Sequence, residues 1–114
     1  MVREICQDLE KLFNNPALRK RYALQNQMDR SSGSIMDNIA DGLGRGKNLE
    51  FRNFLGFARS SCAVLRSQLS RTLDKELITP EQFKDLDQKC DKIKAFHVQG
   101  SVFKCSRYCL KDHC

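Results

Sequence analysis

Between residues 51 and 73, apolar side chains recur every three or four positions: Phe51, Phe54, Leu55, Ala58, Cys62, Leu65, Leu69 and Leu73. That spacing places them on one stripe of an α-helix, the face a bundle core takes up. Downstream, Phe83, Leu86, Cys90, Ile93, His97 and Gly100 alternate by three and four, which reads as a coiled-coil-like seam. A weaker stripe with the same period runs through Leu24, Met28, Ile35, Ile39 and Leu43. The sequence has no alternating β-branched runs and no hairpin dipeptides between such runs, so nothing predicts a strand.

Punctuation between the stripes sets the helix ends. Asn15-Pro16 reads as an N-cap followed by proline at the first helical position. Thr79-Pro80-Glu81-Gln82 repeats the arrangement, with Gln82 placed to close a capping box on Thr79. Gly42, Gly44 and Gly46 interrupt the pattern, and Asn48 is the expected cap of the next helix. The predicted helices are 2–13, 16–43, 48–76 and 80–105, and their short connections make neighbours antiparallel. The expected fold is all-α, an antiparallel up-down four-helix bundle over 1–104 with a Cys-rich tail over 105–114. The first helix reads as shortened, about 18 Å long against about 40 Å for the third.

Composition narrows the class. A chain of 114 residues, 40 % hydrophobic and 30 % charged, supports one modest core. It contains no apolar run of about 18 residues, so no membrane span is expected. The opening Met1-Val2-Arg3-Glu4 turns charged at once and lacks the apolar core of a signal peptide, which predicts a cytoplasmic protein. In that reducing compartment the six cysteines are expected as thiols, with Cys62 and Cys90 acting as small buried hydrophobes. The net charge of +6 favours acidic partners, nucleic acid first.

Enzyme signatures fail on spacing. Gly42-Leu43-Gly44-Arg45-Gly46-Lys47 is one residue short of a phosphate loop, and Asn48 stands where Ser or Thr would bind magnesium. A di-metal bundle site needs Glu-x-x-His pairs, and neither His97 nor His113 has Glu three residues before it. Asp87 and Asp91 share a helix face among lysines, which reads as a salt-bridged surface. Cys105, Cys109 and His113 would align on a helix, but the Cys-x-x-Cys spacing of structural zinc sites is missing. The expectation is no catalytic residue, no cofactor and no metal.

The charge pattern offers the best candidate site. Arg45, Arg52, Arg59 and Arg66 follow each other by seven residues, and a heptad step drifts only about 20° around a helix. Arg52, Arg59 and Arg66 should form one line, which Arg45 extends if the helix or its cap reaches that far, with Lys47 and Arg71 nearby and Glu50 the only acid between residues 42 and 73. Guanidinium forks suit phosphate oxygens, so such a line would follow a backbone without reading bases. Arg19, Lys20 and Arg21 form a second cluster. The competing explanation is a solvated face, or arginines that pair with acids of a neighbouring helix or subunit.

Further motifs carry a resemblance. Tyr22-Ala-Leu-Gln-Asn-Gln-Met-Asp-Arg30, Ser34-Ile-Met-Asp-Asn38-Ile-Ala-Asp-Gly42, Gly44-Arg45, Glu50-Phe51 with Phe54-Leu55, Ser67-Gln68-Leu69 and Thr79-Pro-Glu-Gln-Phe83 stand in order. Over residues 3 to 100 they resemble the four-helix-bundle proteins encoded in intervening sequences of bacterial large-subunit (23S) ribosomal RNA genes. The resemblance implies a four-helix bundle, a ring-like homopentamer and no catalytic residues. A related branch, the accessory proteins of diversity-generating retroelements, partners a reverse transcriptase. This sequence departs from the family in lacking a Trp-Gln-Lys motif early in the first helix. It carries Val64 and Arg66 where acids are usual, and its Cys-rich end is unusual for the family, so no family role transfers to it. The expected function is one of two: a non-enzymatic homo-oligomer binding RNA or DNA backbone, or a protein-interaction scaffold or accessory subunit that does not touch nucleic acid.

Overall fold

A computed structural model describes residues 2–99, and side chains through residue 93. The chain forms α1 (Val2–Phe13), α2 (Pro16–Arg19), α3 (Tyr22–Arg45), α4 (Asn48–Asp74) and α5 (Pro80–Gln99), with no strand among the described residues. The four long helices run up and down, α1 packing on α3 and α5, and α4 packing on α3 and α5. Ile5, Leu9, Met28, Ile35, Leu55, Leu65, Leu69, Leu86 and Ile93 fill the centre, each essentially out of solvent. Leu24 and Ile39 are buried with them, while Phe54, Leu43, Leu73 and Phe83 sit at its margin.

Two expected caps are in place. Asn15 accepts from the Ala17 amide at 3.0 Å, ahead of Pro16. Thr79 and Gln82 exchange both bonds of the capping box, at 2.9 and 3.1 Å.

Elsewhere the expected helix limits move. The segment foreseen as one helix over 16–43 divides at Arg21, whose backbone (φ −98°, ψ 67°) leaves the helical region. The short α2 thereby turns Leu18 fully into the core, a burial that a straight continuation has no need to provide. Gly42 and Gly44 do not interrupt α3, which continues to Arg45 and stops at Gly46 in the left-handed conformation, φ 72°. Helix α4 begins at Asn48 with Lys47 in the cap position, so Asn48 is the first helical residue rather than the cap.

The end of α4 is a Schellman turn: the Leu77 amide donates to the Thr72 carbonyl and the Glu76 amide to that of Leu73. Its left-handed residue is Glu76, φ 59°, where a glycine would be about 1 kcal/mol more comfortable.

Helices α4 and α5 are also joined at their sides. Cys62 and Cys90 are buried free thiols on facing positions, Cys62 Sγ lying 3.8 Å from the Cys90 carbonyl. Lys89 of α5 bonds Asp8 of α1 and reaches Asp85 at 3.2 Å.

Candidate nucleic-acid interface

The break at Arg21 decides where charge collects. It turns the chain at the end of the bundle where α4 finishes, so Lys20 and Arg21 come opposite Arg71 and Lys75. The four cations line one depression of about 370 Å³ together with Tyr22 and Gln27. Arg71 Nη2 donates to the neutral Gln27 Oε1 at 3.2 Å, which orients the guanidinium and leaves its charge intact. Among the described residues none of these four cations has a carboxylate within ion-pair distance. Arg21 also occupies the N-cap of α3, whose first turn carries no acid. A cation at the positive end of a helix dipole raises the local potential further and favours an anion there. Arg19, exposed, lies on the other side of Tyr22, in a second depression.

Arg52, Arg59 and Arg66 share α4 at heptad spacing, but the series does not extend to Arg45. Arg45 closes α3 rather than opening α4, and its guanidinium lies over the Phe54 ring, 4.8 Å from the centroid. Lys47 is exposed in the connection beside it. Arg52 and Arg59 stand exposed on α4. Arg66 turns to α5, where Nε donates to Asp87 Oδ1 at 2.7 Å and Nη2 to Asp87 Oδ2 at 3.1 Å. Asp91 adds a longer contact at 3.5 Å. Those bonds hold the Arg66 guanidinium above the usual arginine pKa, against a smaller opposing effect of burial. At Arg66 the structure therefore has the arginine-to-neighbouring-helix pairing weighed against the phosphate track.

Sequence reasoning missed two residues of the basic corner, Lys75 and Tyr22. Lys75 lies one helical turn beyond Arg71, a signal available in the spacing. Tyr22 is 80 % exposed, which a stretch read as mid-helix gives no reason to expect.

Hydrophobic exposure concentrates on α4, where Leu49, Phe57 and Val64 are 72, 57 and 50 % exposed. Phe57 meets Phe54 edge to face at 5.8 Å. Arg59 lies on the α5 side of α4, in a depression it lines with Cys62, Arg66 and Cys90. On α3, Asp37 and Asp41 are exposed.

Among the described residues no group of three His, Cys, Asp or Glu side chains stands close enough to hold a metal ion. No described helix is long and apolar enough to cross a membrane. The tail residues Cys105, Cys109, His113 and Cys114, and the side chain of His97, lie outside the described residues.

These features define a small antiparallel helical bundle with a basic corner at one end and an apolar outer face on one helix. Residues 1–98 match the family described as 23S rRNA-intervening sequence protein, and the chain belongs to that family. No curated protein matches it. A solved structure of similar fold is a protein with unknown function from the S23 ribosomal protein family of Bacteroides thetaiotaomicron VPI-5482. It is 22 % identical, with a TM-score of 0.72 over 87 % of this chain and 96 % of that one.

Proposed function

We propose that this chain is a non-enzymatic, homo-oligomeric cytoplasmic bundle that binds nucleic-acid backbone through its basic corner. The observation that carries the reading is the convergence of Lys20, Arg21, Arg71 and Lys75, from two separate parts of the sequence, on one depression. Cations without carboxylate partners gain from phosphate what they lack internally, and the counterions they displace add the driving force. Arg19 extends this corner, while Arg45, Lys47, Arg52 and Arg59 supply charge toward the other end. RNA is the first nucleic acid to test, because the family description ties its members to ribosomal RNA.

The apolar face of α4 supports self-association. A second copy seated on α4 would cover Leu49, Phe57 and Val64. A contact between two different faces closes into a ring when its rotation permits. Five subunits is the number the family resemblance suggests.

The second reading, a protein-interaction scaffold or accessory subunit, draws on the same α4 face. Replacing Arg52 and Arg59 with Gln shows which of the two uses these arginines serve. Weaker RNA binding at unchanged solution mass assigns these arginines to phosphate, whereas a fall in mass assigns them to the subunit contact.

A further inference from the structure

Tyr22 separates two depressions of different chemistry. On one side is the cationic depression of Lys20, Arg21, Arg71 and Lys75. On the other is a larger one, about 560 Å³, of mixed polarity, where Glu10 and Asp29 stand with the amides of Asn14 and Asn26 and a single cation, Arg19. The ring between them is 80 % exposed, more than Leu49, Phe57 or Val64. The wall behind it is fixed, because the Gln25 side-chain amide donates to the Phe13 carbonyl at 3.3 Å.

We infer that Tyr22 is a stacking platform for one base of single-stranded RNA, with phosphates on its cationic side and the base edge on its amide and carboxylate side. This rests on the proposal that the basic corner binds nucleic-acid backbone, and it adds which strand form binds and which base is preferred. Cations alone hold duplex and single strand alike, since both present phosphates. An exposed aromatic ring adds affinity only where a base is free to leave its neighbours, which favours the single strand.

The larger depression then discriminates among bases. Ionised carboxylates accept hydrogen bonds and donate none. Guanine presents two adjacent donors, N1–H and the N2 amino group, which match the two oxygens of Glu10 or Asp29. Uracil presents one donor between two carbonyl acceptors, so it satisfies only one carboxylate oxygen and leaves its carbonyls to Arg19 and the amides. A guanine beside a flexible neighbour is therefore the preferred occupant.

The test is fluorescence anisotropy with three short labelled RNAs: oligouridine, a guanine–uridine repeat of the same length, and a duplex. Wild type is compared with Tyr22→Phe and Tyr22→Leu, with folding checked by circular dichroism. The wild type should prefer the guanine–uridine strand to both others. Tyr22→Leu should weaken single-strand binding by about fivefold to a hundredfold while leaving the duplex nearly unchanged, and Tyr22→Phe should retain the wild-type affinity. Salt-sensitive binding that Tyr22→Leu leaves intact on every RNA overturns the stacking role and leaves the basic corner standing. Equal losses on single strand and duplex also overturn it. Equal wild-type affinity for oligouridine and the guanine–uridine strand overturns the base preference. A wild type that binds none of the RNAs at low salt overturns both the inference and the reading beneath it.

Discussion

Arg66 of α4 grips Asp87 of α5 with two guanidinium bonds, at 2.7 and 3.1 Å, so one arginine of the seven-residue series has an internal partner. Both side chains keep 32 % of their exposure, which places the pair between a surface ion pair and a buried one. Bidentate geometry puts its worth near the upper end for exposed pairs, about 1 kcal/mol. Arg66→Gln and Asp87→Asn should each lower the urea stability by about that amount, and the double variant should lose little more than either single. RNA affinity of Arg66→Gln should stay within about twofold of wild type, because this guanidinium is already occupied.

Glycines in α3 should respond to alanine in opposite directions. A Cβ on Gly42 would stand 2.8 Å from Phe54 Cβ and 3.1 Å from Phe51 Cδ2, so α3 and α4 approach tightly here. Gly42→Ala should cost about 1–3 kcal/mol despite the better helix former. A Cβ on Gly33 would meet nothing within 4 Å. Gly33→Ala should instead stabilise by about 0.5–1 kcal/mol, read from the same denaturant series.

That contrast also marks where the sequence stopped being informative. Helix stripes and the two Pro-led starts are local signals, and Leu55, Leu65, Leu86 and Ile93 lie in the core as their spacing requires. Gly42 resembles a breaker by composition, and only the neighbouring helix reveals it as a contact. The break at Arg21 has no local signal either: neither Gly nor Pro marks it, and burial of Leu18 supplies a reason for it. For the same reason the basic corner was half legible. Arg19, Lys20 and Arg21 are visible as a cluster, but their meeting with Arg71 and Lys75 depends on that bend. Arg66 shows the converse, since its heptad spacing is genuine while its partner is fixed by the packing of α4 on α5.

Buried thiols predict an alkaline limit. Burial pushes the Cys6 thiol above its ordinary pKa of 9.0. For Cys90 its hydrogen-bond partnership with Cys62, then burial, does the same, while that partnership lowers the Cys62 thiol and leaves Cys6 and Cys90 as the two that hold their protons. The folded protein therefore keeps these protons above pH 9, while the unfolded chain releases them. Unfolding then releases protons, and stability falls as pH rises through about 9, by up to about 1.4 kcal/mol per pH unit for each such thiol. Urea midpoints between pH 7 and 10 should show that decline, and Cys90→Ala should flatten it while lowering stability at pH 7.

Phe57 offers the direct test of self-association. Its ring is 57 % exposed beside Leu49 and Val64, so Phe57→Asp removes little from the core and puts a charge into the proposed contact. Light scattering should show wild type as an oligomer and Phe57→Asp as a monomer with an unchanged helical spectrum. An oligomer that survives the substitution places the subunit contact elsewhere.

The measurement that tests the central claim most directly is the salt dependence of RNA binding by wild type and by a variant with Lys20, Arg21, Arg71 and Lys75 all changed to Gln. Four single-strand phosphate contacts give a log–log slope of roughly −3, at about −0.7 per contact. Wild-type affinity should accordingly fall about fiftyfold from 50 to 200 mM salt, and the variant should bind weakly with a nearly flat response. An unchanged slope in the variant, or a wild type that does not bind RNA at low salt, would contradict the account and leave the α4 face, and a protein partner, as the basis of function.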